Sequence, residues 1–472
     1  MSDHDLKKIT LENNDFEQYK NLSASIGLTP EVVSEVAQAL EENNYKGAVD
    51  ISLSLHPADT ADLLEKLTSL NRSILVKKIS KYIIPEVLPA LSVPVLTEVL
   101  ELLSNRRIVS ILEKLETDDA AYVLEICEQP KRQKILMQTP KNIRSLLVQA
   151  LDFKENTAGR LMQRNYVSVP LYWNIGQVID YLRESRHIPD EFYALFVVDP
   201  KHTPVGTVPL HRAMRSSRNV SVLEVMTKEP KIIQVNTDQE DVAFVFDQYG
   251  LTSAPVVDLR GRLIGMITID DVVDVIREEA EEDILRLGGV IADSDIYMAA
   301  LQTARSRFLW LSLNLLTAII ASISIGFFSG TLEQMVALAI LMPIVASMGG
   351  NAGTQTLTVA VRAMATRELT ASNSIRIFGK EILVGAYNGV VFAVITGLVA
   401  SLWFQDNFLG IVIALAMLFN LIIAGTFGAA IPMILSRYKI DPAIGATVIL
   451  TTITDVIGFV VFLGLADLFL VS

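Results

Sequence analysis

The chain reads as a multidomain membrane protein: an all-α N-terminal helical superhelix, an α+β pair of repeated units, an acidic connecting helix and a five-helix transmembrane domain. Three observations predict this. Residues 308 to 472 are apolar with few charges and divide into five stretches long enough to cross a bilayer. Residues 157 to about 275 contain one α/β unit twice, and residues 1 to about 150 place leucines at helical spacing without strand-like alternation. The expected boundaries are 1–150, 151–215, 216–276, 277–304 and 305–472.

Composition narrows the function. A formal net charge of −13 argues against a nucleic-acid partner, whose phosphates need a basic face, and is compatible with divalent cations. The one cysteine, Cys127, excludes an intrachain disulfide and reads as a small buried hydrophobe. The five histidines are scattered without metal-ligand spacing. The first 30 residues carry acids and no apolar run, so no signal peptide is expected and the soluble part should stay in the cytosol.

The N-terminal region repeats a short unit: LHPADTADLLEKL at 55–67, LSVPVLTEVLELL at 91–103 and LETDDAAYVLEIC at 115–127. Each begins with a Pro- or Asp-rich turn and continues with leucines at helical spacing, which suits stacked helix pairs. Pro57 and Pro94 fit first-turn positions, where no N–H is needed. Asp118 and Asp119 read as acids favoured at a helix N-terminus, or alternatively as a metal contact across an interface.

In the repeated unit, GRLMQRNYVSVP (159–170) corresponds to LEVMTKEPKIIQV (223–235), and LFVVDPKHTPVGTVPLHRAM (195–214) to APVVDLRGRLIGMITIDDVV (254–273). The turns at Asp199–Pro200 and Arg260–Gly261 have hairpin chemistry. The pair resembles tandem CBS domains, with the second copy the closer match. That resemblance implies a regulatory module in which Thr268 and Asp271 contact the ribose or phosphates of an adenine nucleotide such as ATP. A structural role for Thr268 at a sheet edge fits equally. The first copy has Val208 and His211 at those positions, so at most one good nucleotide site is implied.

From Asp270 the sequence is DDVVDVIREEAEEDILRLGGV, with one base, Arg277, among its acids up to Asp283. Spacings of three and four put Asp271, Asp274, Glu278 and Glu282 along one helix face, where like charges destabilise the helix unless neutralised. A solvated acidic face and a divalent-cation site are both open. Mg²⁺ suits sparse carboxylates because it keeps several waters.

The expected spans lie at about 308–328, 332–363, 379–402, 408–435 and 443–470. Bases flank one side only: Arg305 and Arg307, then Arg362, Arg367, Arg376 and Lys380, then Arg437 and Lys439. The positive-inside rule then puts the N-terminus in the cytosol and the C-terminus outside. Small residues Gly349, Gly350, Ala352 and Gly353 in the second span permit close helix approach or local unwinding. Asn351, Thr354, Gln355 and Thr358 beside them favour a kink that lines a pore. In the last span Asp455 lies about 18 Å along a helix starting at Ala443. Facing lipid it would cost roughly 3 kcal/mol even on the gentler scales, so it should face protein or water. It either bonds a neighbouring helix or holds a cation on a conduction path.

The run P-x-V-x-x-M-G-G-N-x-G-T-Q from Pro343, the T-T-x-T-D ending at Asp455, the CBS pair and the helical repeats together resemble the MgtE family of magnesium channels and transporters over roughly residues 40 to 472. The resemblance implies a homodimer in a bacterial inner membrane with the pore between the two membrane domains. Two copies of Asp455 would flank a hydrated Mg²⁺, with the backbone carbonyl of Thr451 nearby and Asn351, Gly350, Thr354 and Gln355 in the pore wall. It also implies regulatory Mg²⁺ sites at Asp271, Asp274, Glu279, Glu282 and Asp283, partnered by Asp118 or Asp119, with the connecting helix as a plug. Gly250 stands where family members can carry an acid, so one such site can be weakened. A Mg²⁺-selective uptake channel closed by cytosolic Mg²⁺ is the expected function. A coupled transporter or exporter of Mg²⁺, Co²⁺ or Mn²⁺, and a nucleotide-responsive membrane sensor, are the alternatives. An enzyme is not expected: the chain has no G-x-x-x-x-G-K-[ST] loop and no H-E-x-x-H.

Overall fold

The computed structural model describes residues 27–185, 188–189, 192–290, 300–369, 373–438, 440–441 and 445–471. The N-terminal stretch read for a signal peptide, all but its last four residues, lies outside the described residues, as do 291–299 of the connecting segment, Lys439, and 443–444 at the expected start of the last span. The chain divides into two compact units, Met1–Ile276 and Arg277–Ser472.

The first unit opens with short α-helices from Pro30–Glu41 to Lys141–Asp152 and no strand among the described residues there. Their starts follow from the sequence. Pro57 and Pro94 occupy the first turns of Pro57–Lys66 and Val93–Leu102, and Asn44, Thr68 and Ser104 cap the helices that follow them. The repeated leucines meet in one core, with Leu63, Leu64, Leu75, Leu96, Leu112 and Leu124 fully buried and Cys127 among them. Arg72 is buried too. It donates to the carbonyls of Leu64 (2.7 Å) and Leu67 (3.0 Å) and pairs with Glu98 (2.5 Å), so its charge is compensated where it is desolvated.

Two small sheets follow, one per repeated unit. In the first, β1 (Ser168–Pro170) runs parallel to β2 (Ala194–Val198), which pairs antiparallel with β3 (Pro204–Pro209) and then β4 (Thr227–Lys228). In the second, β5 (Ile233–Gln234) is parallel to β6 (Ser253–Val257), which is antiparallel to β7 (Leu263–Thr268). Register shifts at equivalent places, Val197/Val198 and Val256/Val257. The carboxylates of Asp199 and Asp258 close the two hairpins by accepting backbone N–H groups. The copies also exchange segments. Gln163 bridges Met266 through two backbone hydrogen bonds, while β4 joins β3. Close backbone approach favours glycine at both crossings: a Cβ at Gly265 would lie 2.8 Å from the Gln163 carbonyl oxygen, and one at Gly206 3.0 Å from that of Thr227.

The helix Ile269–Leu287 contributes its first residues to the first unit and its remainder to the second. Among the described residues, five helices of the second unit are long and apolar enough to cross a membrane. We number them as spans: one, Ala300–Gly326; two, Val336–Ala365; three, Ser374–Phe404; four, Asn407–Arg437; five, Ala446–Ala466. Span four is 56% buried over its most apolar window and span one only 6%, which makes span four the packing centre. Its glycines allow backbone contact. A Cβ at Gly425 would lie 2.8 Å from the Glu381 carbonyl of span three, and one at Gly428 2.7 Å from the Gly353 carbonyl of span two.

The local unwinding expected at residues 349–353 does not occur. Span two is an unbroken helix through Gly349, Gly350 and Gly353, with Pro343 in its early turns. A continuous helix satisfies its backbone groups internally, so the buried glycines serve close packing rather than unwinding.

Candidate cation sites

In the first unit, two helix N-termini rich in acids come together. Thr117–Ile126 carries Asp118 and Asp119 in its first turn, and Ile269–Leu287 carries Asp270 and Asp271, with Asp274 one turn on. The helix dipoles favour these acids locally, but their mutual approach does not. Burial pushes the Asp118 carboxyl well up, and the charge of Asp271, then Asp119 and Glu116, adds to it. Asp119 is pushed up to about 6 by burial, Asp274, Asp270 and Glu86. Asp271 is pushed up to about 7, chiefly by burial; Thr268 opposes the rise, donating its hydroxyl to Oδ2 at 2.8 Å. Gln163 Nε2 reaches the same oxygen at 3.1 Å and Thr268 Oγ1 at 3.2 Å.

Asp118 Oδ1 is buried and has no hydrogen-bond partner among the described residues. An orphaned carboxylate oxygen among other acids is a place for positive charge. Among the described residues no three carboxylate, histidine or cysteine groups stand close enough to ligate a bare metal ion together. A cation that keeps its water shell does not need them to, because water fills the remaining positions.

The other acids of the connecting helix belong to the second unit. Glu282 pairs with Arg286, and Arg286 pairs in turn with Asp441, in the loop before span five. Burial raises the Asp283 carboxyl, followed by the charges of Asp441 and Glu279. The end of the helix is held at the membrane domain: Thr447 donates to the Leu287 carbonyl at 3.2 Å, and Leu287 packs on Leu357, Val361, Ile431, Ala446 and Leu450. Sequence reasoning missed Asp441 and Arg286. The first sat among bases read only for orientation, and the second just beyond the acidic run.

Gly250 has a local explanation. It ends the helix Gln239–Tyr249 with φ +59°, and its N–H bonds back to the helix. This left-handed position suits glycine, so the chain keeps a helix stop where an acid was a possibility.

In the membrane domain Asp455 is half-buried, and among the described residues neither a hydrogen bond nor an ion pair engages its carboxylate. Among the described residues no lysine or arginine pairs with it. The Thr451 hydroxyl bonds the Thr447 (3.0 Å) and Val448 (3.1 Å) carbonyls, while its own carbonyl accepts the Thr454 hydroxyl at 3.1 Å. In span two the glycines divide into two kinds. A Cβ at Gly349 would meet Asn420 at 2.2 Å and one at Gly353 would meet Leu450 at 3.1 Å, but one at Gly350 would meet nothing. Asn351 and Gln355 are exposed, Thr354 is half-buried and bonds the Gly350 carbonyl at 2.9 Å, and Asn351 Nδ2 lies 3.4 Å from Ser347 Oγ.

Asn420 of span four, also missed, is fully buried where spans two, four and five meet. It donates to the Val345 carbonyl at 2.8 Å and abuts both Gly349 and Gly458. This contact and the Gly353–Leu450 contact set the level of spans two and five, which run antiparallel. Asn351 lies between the two contacts on span two and Asp455 between them on span five, so both fall at one depth. A single asparagine in an otherwise apolar run was the available signal.

The chain matches the family described as MgtE, divalent cation transporter, over residues 342–465. The MgtE intracellular N domain matches 55–156, and the CBS domain matches 158–219 and 222–278. The Magnesium transporter MgtE of Thermus thermophilus is 34% identical over 443 residues, covering 92% of this chain and 97% of that one. The Magnesium transporter MgtE of Bacillus subtilis is 29% identical over 357 residues, 76% of this chain and 79% of that one. A crystal structure of the cytosolic domain of the Mg²⁺ channel MgtE in complex with ATP aligns at 30% identity over 52% of this chain and 99% of that one, with a TM-score of 0.47.

Proposed function

The chain belongs to the MgtE family of divalent cation transporters, and from that premise we propose that it is a Mg²⁺-selective uptake channel closed by Mg²⁺ from the cytosol. The observation that carries the gating half is the meeting of Asp118, Asp119, Asp270, Asp271 and Asp274 with one buried oxygen left unbonded. Such an arrangement repels itself when ionised and is relieved by a hydrated divalent ion. At high cytosolic Mg²⁺ the ion bridges the helix bearing Asp118 to the helix bearing Asp271 and Asp274. Further ions neutralise Glu279, Glu282 and Asp283, the last supported by Asp441. At low Mg²⁺ the acids repel and the connecting helix is released.

For permeation, two copies of Asp455 in a homodimer flank the passage, with Asn351, Gly350, Thr354, Gln355 and the Thr451 carbonyl as polar wall. A carboxylate with no base beside it is free to hold an ion through that ion's water. Binding through water avoids the large cost of stripping Mg²⁺ and lets the ion leave again. The N-terminus is cytosolic and the C-terminus periplasmic. ATP belongs to the same proposal as a ligand of the second CBS copy at Thr268 and Asp271. Because Thr268 and Gln163 already hold Asp271, a ribose there would loosen that carboxylate and alter the acid cluster it belongs to.

The test is electrical. In membrane patches containing the full-length protein, neutralising Glu279, Glu282 and Asp283 to Ala should leave current flowing at internal Mg²⁺ concentrations that silence the wild type. Unchanged closure would sink the gating half.

A further inference from the structure

Span three carries a second intramembrane carboxylate that permeation through Asp455 leaves unused. Glu381 lies seven residues into Ser374–Phe404, roughly 10 Å from its start. Its residue is only 8% exposed. The carboxylate receives one hydrogen bond, from Thr356 Oγ1 of span two to Oε2 at 3.4 Å. Among the described residues no lysine, arginine or histidine pairs with it.

It borders a cavity of about 190 Å³ between spans two and three, floored by Leu421 and Gly425 of span four. The polar lining is Gln355, Thr356, Glu381 and Asn388. The space is large enough for several waters, and its polar groups come from two helices. A carboxylate this buried is relieved by a base, by several hydrogen bonds or by a bound cation. The first is missing and the second amounts to one long bond. The lining supplies the third: carboxylate oxygens, a hydroxyl and two amide oxygens are hard donors for a hard cation. One formal negative charge balances one positive charge, whereas a divalent ion would leave the groove with a net charge in a low-dielectric setting.

The geometry points to a monovalent alkali-cation site of Na⁺ class, held by Glu381 with Thr356 and Asn388, with Gln355 standing between this groove and the wall of the Asp455 passage. Gln355 and Thr356 lie on the helix that carries Asn351, so an ion here ties the pore-wall helix to span three. Occupancy of this site then sets how firmly span two is anchored. The inference stands independently of Mg²⁺ gating.

The test uses the purified full-length protein in detergent, free of Mg²⁺, at pH 8 and constant ionic strength, with NaCl replacing N-methylglucamine chloride. The thermal midpoint followed by tryptophan fluorescence should rise saturably with Na⁺. Glu381→Gln keeps an acceptor for Thr356 but removes the charge, and should abolish the Na⁺ dependence while leaving the Mg²⁺-induced stabilisation intact. Asn388→Leu, at the exposed rim, should move the Na⁺ midpoint upward severalfold and carries the test if the glutamine variant does not fold. Equal midpoints in the two salts, or a Na⁺ response that survives in Glu381→Gln, overturns the site. So does a midpoint that follows pH but not Na⁺, because a proton would then be the counter-charge.

Discussion

The acids of the first unit and those of the membrane domain solve opposite problems. Asp118, Asp119, Asp270, Asp271 and Asp274 lie near one another; burial and then the neighbouring charges raise the proton affinity of Asp118, Asp119 and Asp271, and one oxygen is left without a partner among the described residues. Asp455 stands apart, half-buried and, among the described residues, paired with no base. Crowding makes a site whose occupancy decides whether two elements stay together, which suits a sensor. Isolation makes a site that attracts an ion and releases it, which suits a passage. The same side-chain chemistry serves both because the number of neighbouring charges differs.

The comparison breaks most directly at Asp455. Asp455→Ala should abolish Mg²⁺ uptake into proteoliposomes while the protein keeps its elution position and thermal midpoint, since the carboxylate bonds nothing in the fold. Asp118→Asn combined with Asp119→Asn should do the reverse, preserving flux and removing its closure by internal Mg²⁺. Wild-type flux in the first variant would remove the distinction between passage and sensor.

The sensor half also has a pH signature. Folded-state values of about 6 for Asp119 and about 7 for Asp271 lie above the ordinary 3.8, so the folded state binds these protons more tightly than the unfolded chain does. Their contribution is fully present below about pH 4 and is lost as pH rises through about 7, a change on the order of 3 kcal/mol for Asp119 and 4 kcal/mol for Asp271, each taken singly. Mg²⁺-free full-length protein should therefore lose stability in its first unit between pH 5 and 7.5, and added Mg²⁺ should flatten the curve. A flat curve without Mg²⁺ would show that the acids are not crowded in solution.

Within the membrane domain, Gly349 and Gly350 separate packing from permeation. Gly349→Ala drives a Cβ into Asn420 and should cost roughly 1–3 kcal/mol by overpacking. Gly350→Ala meets open space and should change stability by no more than about 0.5 kcal/mol. A flux defect in Gly350→Ala at unchanged thermal midpoint assigns that face to the ion path.

Much of this was legible in the sequence for physical reasons. Spans, repeated units and helix starts depend on local pattern, so Pro57, Pro94, the two V-V-D turns and the five apolar stretches announced themselves. The charge of Asp271 acts on Asp118 from 153 positions away in the chain, which spacing alone does not encode. The continuity of span two was misread because glycines signal both unwinding and close approach, and only the neighbour, here Asn420, decides. Glu381 stands next to Lys380 in the sequence and carries no local signal of its own; its burial against span two appears only in three dimensions.

The smallest effect is expected where the connecting helix meets span five. Arg286 joins Glu282 and Asp441, so it supplies from within the chain the positive charge that a cation would otherwise bring. The pair is partly exposed, and losing it should cost about 1 kcal/mol or less. The same substitution unmasks two acids beside Asp283, whose carboxyl is already pushed upward by burial and then by Asp441. Arg286→Ala should therefore change the thermal midpoint little in Mg²⁺-free buffer while lowering the internal Mg²⁺ needed for half-closure in patch recordings. A higher requirement would mean that Arg286 holds the helix closed by itself, and that this end of the helix works as a fixed clasp rather than as part of the Mg²⁺ sensor.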